Sequence, residues 1–468
     1  MGIKHEDLLI ESGKPFENCK LDRKKYADVL TSIVSNYSEG FVLAINNKWG
    51  AGNTTFIKMW EQDLKDKEYQ TVFFNAWEND FENNPLIALM GELKTLTDGK
   101  VSTEQKFKNV LQNASVLSKH LLPVVAKSIL DKYIDTEEIK DAVLNATKGV
   151  AEIFENDVKE YTNKKKSIGE FRSSLSKFIA DTNDGKPLIF IIDELDRCRP
   201  DYAVSILEQI KHFFTVPNIV FVLSIDKTQL GNAVRGVYGS ESIDADEYLR
   251  RFIDVEYSIP PPNEKQFYEY LFSYFKFEDF FIKRQYGELQ YDENGFLAIC
   301  DVLLSDSNIS LRQQEKIFVN ARLALRTFSE RNYMIPYVFL YLNLLKVVNE
   351  QFYNEIKNKS LSLNQFQARF FDTVKAKKNP DNIEELMWLE GYLVVYYNNY
   401  LYDSKNQKLY RADPANINQN QLLIDSIVDD EKNNQFLGIL ENIYKVRSGN
   451  LNIKYFFNKI DLLENISL

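Results

Sequence analysis

The chain has 468 residues, of which 44% are hydrophobic and 27% are charged, so it can bury large cores and is expected to form two or three domains. The 57 Lys and Arg against 68 Asp and Glu give a net charge of −11, which argues against a surface devoted wholly to nucleic acid or anionic membrane. The three cysteines are widely separated without a CxxC pair, which excludes a zinc cluster and a disulfide framework and favours a reducing compartment.

The amino-terminal segment lacks the basic start and unbroken apolar run of a secretory signal, so we expect a cytoplasmic protein. The most apolar long window, residues 110–130, contains Lys119, Lys127 and Pro123, which leaves apolar stretches too short to span a bilayer. This window predicts a buried or partner-facing helix, with a membrane-surface helix as the alternative.

The first predicted elements form a βαβ unit. Residues 22–38 place Tyr26, Leu30 and Val34 on one helical face, and GFVLAIN at 40–46 predicts a strand buried on both faces, as in a parallel sheet. A glycine turn and a helix follow over 49–66, and YQTVFFNAW at 69–77 predicts the second strand.

Residues 85–185 read as charged helices, so they predict a helical insertion. The sheet resumes with PLIFIIDELD at 187–196 and NIVFVLSID at 218–226, joined by a helix over 202–214. After residue 262 the chain becomes aromatic-rich helices, with polar loops expected from about Asn398. These patterns predict an α/β fold divided into 1–84 and 186–262 for the sheet domain, 85–185 for the insertion and 263–468 for an all-α domain.

A glycine-rich loop, NKWGAGNTT at 47–55, lies where the first strand turns into a helix, as a phosphate-binding loop requires. Its glycines let backbone N–H groups point at phosphate oxygens, and the Thr54 hydroxyl is suited to Mg²⁺. Asn47 replaces the first glycine of the G-x-x-x-x-G-K-[ST] pattern, and Asn53 replaces its lysine. By itself the loop is also compatible with a plain glycine turn.

Acidic residues at the end of the next strands favour the nucleotide interpretation. Asp193 and Glu194 end an apolar strand, which is the arrangement that holds Mg²⁺ through the first carboxylate and polarises water with the second. Solvated acids at a strand end are the alternative, but they do not account for Asp196 and Arg197 following at once. Nor do they account for a second apolar strand that ends in Ser224 and Asp226.

The combination resembles the KAP family of P-loop NTPases, in the additional-strand branch related to the STAND switch proteins. The resemblance spans about residues 20–330 and is carried by the segments WGAG at 49–52, FFNAWEND at 73–80, IIDELDRCRP at 191–200, FVLSIDKTQL at 221–230 and EYLRRFIDVEYSIPPP at 247–262. It implies a three-layer P-loop sandwich with a parallel sheet, and ATP and Mg²⁺ as ligands.

The resemblance also implies a role for each matching position. The nucleotide would be held by Trp49, Gly50, Ala51, Gly52, Asn53, Thr54, Thr55 and Asp226, with Thr54 and Asp193 on the metal. Glu194 would activate water, and Arg251 would occupy the basic position after the Tyr-Leu pair. Arg312 is a candidate sensor of the γ-phosphate, against a plain surface arginine, and Tyr26 is a candidate adenine contact, against a core aromatic.

Two functions follow from these expectations. One is an ATP-driven switch, weakened by Asn53 and, as the resemblance suggests, acting in bacterial antiphage defence through a protein partner or effector; the other is a non-catalytic nucleotide-binding scaffold. ATP is expected ahead of GTP, and no transmembrane segment is expected. Arg250 and Arg251 suit either their own site or that of a neighbouring protomer, so a homo-oligomer stays open. Nucleic-acid binding also stays open, with the C-terminal aromatic residues read as core and partner interface ahead of a base-stacking surface.

Overall fold

The computed structural model describes residues 8–37, 39–82, 84–97, 101–130, 150–182, 185–305, 309–402, 408–412 and 420–462. The chain divides into two compact units, Leu8–Pro261 and Pro262–Leu468. We call them the sheet unit and the helical unit.

A five-stranded parallel sheet forms the centre of the sheet unit, and it confirms the predicted α/β fold. Its strands are β1 (Phe41–Asn46), β2 (Thr71–Asn75), β3 (Leu188–Asp193), β4 (Ile219–Ile225) and β5 (Val255–Ser258), in the spatial order β2-β3-β4-β1-β5. Strand β4 therefore lies between the loop strand β1 and the acidic strand β3. Because all strands are parallel, their carboxyl ends meet at one edge of the sheet.

Helices cover both faces of this sheet. They are α1 (Lys24–Asn36), α2 (Asn53–Asp66), α3 (Pro85–Leu93), α4 (Val101–Leu130), α5 (Val150–Thr182), α6 (Pro200–Gln209), α7 (Lys227–Tyr238) and α8 (Ala245–Leu249). Helices α1 and α2 pack on one face through residues such as Leu30 and Trp60, whereas α3, α6 and α7 pack on the other. Alternate residues of β3 enter the two cores, Ile191 on the α2 side and Phe190 on the α6 side, which is why the strand is apolar throughout.

Within residues 85–185, where the sequence predicts a helical insertion, the long helices α4 and α5 form an antiparallel pair in which the Phe107 and Phe178 rings lie 5.2 Å apart. The Phe171 ring of α5 lies 5.5 Å from the ring of Phe214, which follows α6, so the helix pair packs on the α6 side of the sheet. No helix in the described ranges combines the length and hydrophobicity that a membrane crossing needs. The side chains of residues 118–130, within the apolar window of the sequence, lie outside the described residues.

The helical unit consists of ten helices and one small hairpin in its described part. The helices are α9 (Glu264–Tyr274), α10 (Glu278–Phe281), α11 (Asp292–Leu304), α12 (Leu311–Leu325), α13 (Pro336–Val348), α14 (Glu350–Lys357), α15 (Leu363–Val374), α16 (Ile383–Leu401), α17 (Asn433–Lys445) and α18 (Ile453–Ile460). The hairpin pairs β6 (Tyr410–Ala412) with β7 (Asn420–Leu422). Buried aromatic rings, including Phe296, Phe318 and Tyr396, fill its core.

The structure differs from the sequence expectation near Asn398, where polar loops were predicted. Helix α16 continues through Asn398 and Asn399 to Leu401, and both asparagines are buried. The Asn399 amide donates hydrogen bonds to the carbonyl oxygens of Gly449, at 3.0 Å, and Leu451, at 2.7 Å. A buried amide with its donors paired costs little, so the polar composition does not end the helix.

Candidate functional site

The loop that follows β1 turns sharply into α2. Gly50 and Gly52 have φ of 78° and 79°, a left-handed backbone that glycine adopts without steric cost. Gly52 is also the N-cap of α2 and carries no side chain, so no side-chain cap occupies the first N–H groups of the helix. These groups, together with the positive end of the helix dipole, can bind an anion.

A buried arginine that the sequence analysis did not single out forms hydrogen bonds with the backbone of this loop. Arg23, 2% exposed, donates hydrogen bonds to the carbonyl oxygens of Ala51, at 2.6 Å, and Gly52, at 3.0 Å. Burial lowers the pKa of its guanidinium, yet the two carbonyl contacts give the charge polar partners. Nothing in the sequence distinguishes Arg23 from Lys24 and Lys25 beside it.

Two orphaned oxygen atoms lie at the carboxyl ends of β3 and β4. Asp193 and Ser224 are opposite each other in the sheet register, and each residue is 2% exposed. Asp193 Oδ2 and Ser224 Oγ have no hydrogen-bond partner among the described residues. Buried polar atoms are almost always paired, so these two fit a group that completes them, and a hard cation such as Mg²⁺ prefers such oxygens.

Glu194 is held in an unusual backbone conformation beside this pair. Its φ of 61° is left-handed, a strained region for a residue with a side chain. One carboxylate oxygen lies 2.5 Å from the Arg197 guanidinium, and the other accepts a hydrogen bond of 3.3 Å from Asn75 at the end of β2. The arrangement fixes the direction of the Glu194 carboxylate, as a water-orienting group requires.

A second set of contacts joins the loop to β4 and to the turn after β3. The Trp49 N–H donates to Asp226 at 3.2 Å, and the Trp49 indole donates to Asp196. Burial raises the pKa of the Asp196 carboxyl, and the bond from Trp49 partly offsets that rise. Asp226 also caps α7 by accepting bonds from Thr228, at 3.1 Å, and Gln229, at 3.2 Å.

Asn53 begins α2, and Thr54 and Thr55 follow it, half-buried, in the first turn. The Asn53 amide donates a hydrogen bond of 3.4 Å to the carbonyl oxygen of Asn47. The side chain that stands where the phosphate-loop lysine would be is therefore bound within the loop itself.

The remaining predicted residues lie farther from these contacts. Tyr26 is on α1, one turn from Arg23, and packs partly buried against the α1–α2 core. Arg251 is exposed after α8, and among the described residues its side chain makes no hydrogen bond to the loop. Arg312 is in the first turn of α12, in the helical unit.

Comparison with known proteins identifies the family of this chain. The family model described as KAP family P-loop domain matches residues 23–328, more than half of the chain. The protein belongs to the KAP family of P-loop NTPases. Membership confirms the resemblance seen in the sequence, and it implies a nucleotide as ligand at the loop, usually with Mg²⁺.

Two further similarities are a short sequence match and a distant structural alignment. An uncharacterized protein of Methanocaldococcus jannaschii is 42% identical over 62 residues, which cover 13% of this chain and 31% of that protein. The chain thus matches less than a third of that relative's length. The structure of the Aeropyrum pernix ORC2 protein in ADPNP–ADP complexes aligns over 90% of this chain and 94% of that one, with 14% identity and a TM-score of 0.33.

Proposed function

We propose that this KAP-family protein binds ATP with Mg²⁺ at the loop, acts as a molecular switch, and hydrolyses ATP poorly because of Asn53. The observation that carries the proposal is the buried Asp193 carboxylate, whose Oδ2 has no partner, beside the unpaired Ser224 hydroxyl. A solvated strand-end acid would not be 2% exposed with an orphaned oxygen.

Each part of the site has a stated task in this proposal. The N–H groups from Gly50 to Thr54 bind phosphate oxygens, while Thr54 and Asp193 hold the metal ion. Bound Mg²⁺ neutralises charge on the phosphates. Glu194 orients the attacking water and accepts its proton, with Asn75 and Arg197 fixing its carboxylate.

Other predicted residues contribute to nucleotide binding from outside this cluster. Trp49 and Asp226 brace the loop, and Tyr26 lies beside the base. Arg251 contributes positive charge near the γ-phosphate. Arg312, a candidate γ-phosphate sensor in the sequence, stays a prediction from the resemblance. The antiphage role through a protein partner comes from the family resemblance. The cytoplasmic location and the homo-oligomer are expectations from the sequence.

Asn53 determines the expected rate. A lysine would place a full positive charge on the transferring phosphoryl group, whereas the Asn53 amide is neutral and already donates to Asn47. Loss of a charge that acts in the transition state costs about 3 kcal/mol, or roughly a hundredfold in rate. The same residue favours a second candidate function, a scaffold that uses nucleotide as a structural ligand without turnover.

Measuring phosphate release from ATP distinguishes the switch from the scaffold. We would compare the protein with Asn53→Lys and with Asn53→Lys/Glu194→Gln, and use Asn36→Lys at the exposed end of α1 as the matched control. The switch predicts Mg²⁺-dependent turnover roughly a hundredfold higher in Asn53→Lys alone. If Asn53→Lys binds ATP–Mg²⁺ but shows no added turnover, hydrolysis is not the function and the scaffold is supported. If no form binds ATP by calorimetry, both candidates fail.

A further inference from the structure

A two-lobed cavity lies within the helical unit, and the proposed function does not use it. The outer lobe, of about 640 Å³, is lined by the turn at 286–289, by Arg331 and Tyr333 before α13, and by residues 445–447 at the end of α17. The inner lobe, of about 280 Å³, reaches the starts of α11 and α13 and the middle of α16. The lobes share Glu288, Leu289, Tyr333 and Val446, so they adjoin each other. Their volumes fall near the range of small-molecule sites.

The outer lobe gathers positive charge in a protein whose net charge is −11. Arg331, Lys445 and Arg447 line it, and none of these three cations forms an ion pair or a side-chain hydrogen bond within the described ranges. Glu288 is the acidic residue in the same lining. Three unpaired cations and one carboxylate give the lobe a positive potential. The planar guanidinium groups of its two arginines can each donate paired hydrogen bonds to phosphate oxygens.

The inner lobe is lined by aromatic rings. The Tyr392 ring lies 5.9 Å from the Tyr337 ring and 5.8 Å from the Trp388 ring, and Tyr333 connects this group to the outer lobe. Tyr392 forms no hydrogen bond with another described residue, and burial raises its pKa to about 12, so its hydroxyl stays protonated. Such a lining stacks on a planar ring and hydrogen-bonds to its edge.

Buried contacts hold this lining in place without a ligand. Arg284, fully buried, pairs with Asp292 at 2.6 Å and donates to the carbonyl oxygens of residues 329, 330 and 332, which fixes the turn that carries Arg331. The Tyr455 hydroxyl donates to the Tyr333 carbonyl at 3.0 Å.

The backbone of Ile335, in the wall of the inner lobe, is strained. Its φ of 42° is left-handed, which is rare for a β-branched residue. Strain of this kind concentrates at ligand sites, where the surrounding structure enforces it.

We propose that this cavity binds a nucleotide, with the phosphate at Arg331, Lys445 and Arg447 and the base stacked between Tyr333 and the Trp388–Tyr392 pair. The carboxylate of Glu288, between the lobes, accepts hydrogen bonds from N–H groups of the base. This site is separate from the phosphate loop and would let a nucleotide signal reach the helical unit directly.

Calorimetry on the full-length protein tests the proposal with nucleoside 5′-monophosphates, the matching nucleosides and inorganic phosphate as probes. At least one monophosphate should bind, and about tenfold or more tighter than either its nucleoside or phosphate alone, because both lobes contribute. Arg331→Glu/Arg447→Glu should weaken that binding at least about tenfold. Lys378→Glu, an exposed position of the same unit outside the cavity lining, should leave it unchanged.

Tryptophan fluorescence gives a second readout, since Trp388 is the one tryptophan of the sequence beyond residue 262. The bound base should quench Trp388 emission, and Trp388→Phe should remove that signal. Three results would overturn the proposal: no monophosphate binds, charge reversal leaves the affinity unchanged, or a single-stranded oligonucleotide binds where monophosphates do not. The last result would assign the cavity to nucleic acid.

Discussion

The Arg23 guanidinium donates a hydrogen bond of 2.6 Å to the backbone carbonyl oxygen of Ala51 in the phosphate loop. The same guanidinium, which is almost fully buried, donates a second hydrogen bond to the carbonyl oxygen of Gly52. The two bonds fix the orientation of the Ala51 and Gly52 carbonyl groups, and so the conformation of the loop. Arg23 is thus a positioning residue for the site.

Arg23→Met should weaken ATP–Mg²⁺ binding by about tenfold, because the loop loses both contacts that fix its carbonyl groups. Arg23→Lys should recover only part of the affinity, since an ammonium does not reproduce the two-pronged guanidinium geometry. Lys24→Met, at the exposed neighbouring position, is the control. Calorimetric titration measures all three, and equal affinity of Arg23→Met and the unchanged protein would contradict the positioning role.

Because the backbone at Glu194 is strained, we expect a glycine variant to be more stable than an alanine variant at this position, the reverse of the usual order. Glu194→Ala and Glu194→Gly both remove the carboxylate, but only glycine adopts a φ of 61° without steric cost. The glycine variant should therefore be more stable than the alanine variant by about 1 kcal/mol in urea unfolding. At Glu78, where φ is not positive, the same pair of substitutions should give the usual order, with alanine more stable. The same order at both positions would show that Glu194 is not strained.

Because the Ser224 hydroxyl is unpaired, its removal should stabilise the ligand-free protein and reduce the stabilisation that nucleotide provides. Ser224→Ala removes a buried polar group that has no partner, so the free energy of unfolding should rise by about 1 kcal/mol. The increase in melting temperature on adding ATP–Mg²⁺ should become smaller. Ser167→Ala is the matched control, because that buried hydroxyl donates to the Asn163 carbonyl at 2.9 Å and its loss should destabilise. An unchanged thermal shift in Ser224→Ala would remove Ser224 from the site.

The carboxyl of Glu390, fully buried in the helical unit, predicts a pH dependence of stability. Burial raises its pKa above the usual 4.5, although bonds from Ile427, Ser426 and Gln367 oppose the rise. A carboxyl whose folded pKa is raised contributes most below its unfolded pKa, and that contribution is lost as the pH rises through the folded value.

Glu390→Gln keeps an acceptor for Ile427 and does not titrate, so its stability relative to the unchanged protein should increase as the pH rises above the usual carboxyl pKa of 4.5. Urea unfolding at several pH values measures this difference. Glu384→Gln, on the exposed side of the same helix, should show no such trend. A constant difference for Glu390→Gln would mean that the buried carboxyl keeps an ordinary pKa.

The α/β fold, the phosphate-loop strand and the family can all be recognised from the amino-acid sequence. Each depends on short-range patterns: an apolar strand of six residues, glycines two positions apart, or a run of acids at a strand end. Hydrophobic periodicity and turn chemistry act within a few residues, so they can be read without knowing which distant segments meet. The roles of Glu194, Arg251 and Arg312 stay predictions.

Which side chains come into contact depends on the tertiary fold. Arg23 reaches carbonyl groups 28 and 29 residues away, and Asp193 is opposite Ser224 because β3 and β4 pair in one particular register. Arg331, Lys445 and Arg447 face one cavity although more than a hundred positions separate the first from the others. Contacts of this kind depend on how whole helices and strands pack, and packing is set by the shape of the complete core, which no local window of sequence contains.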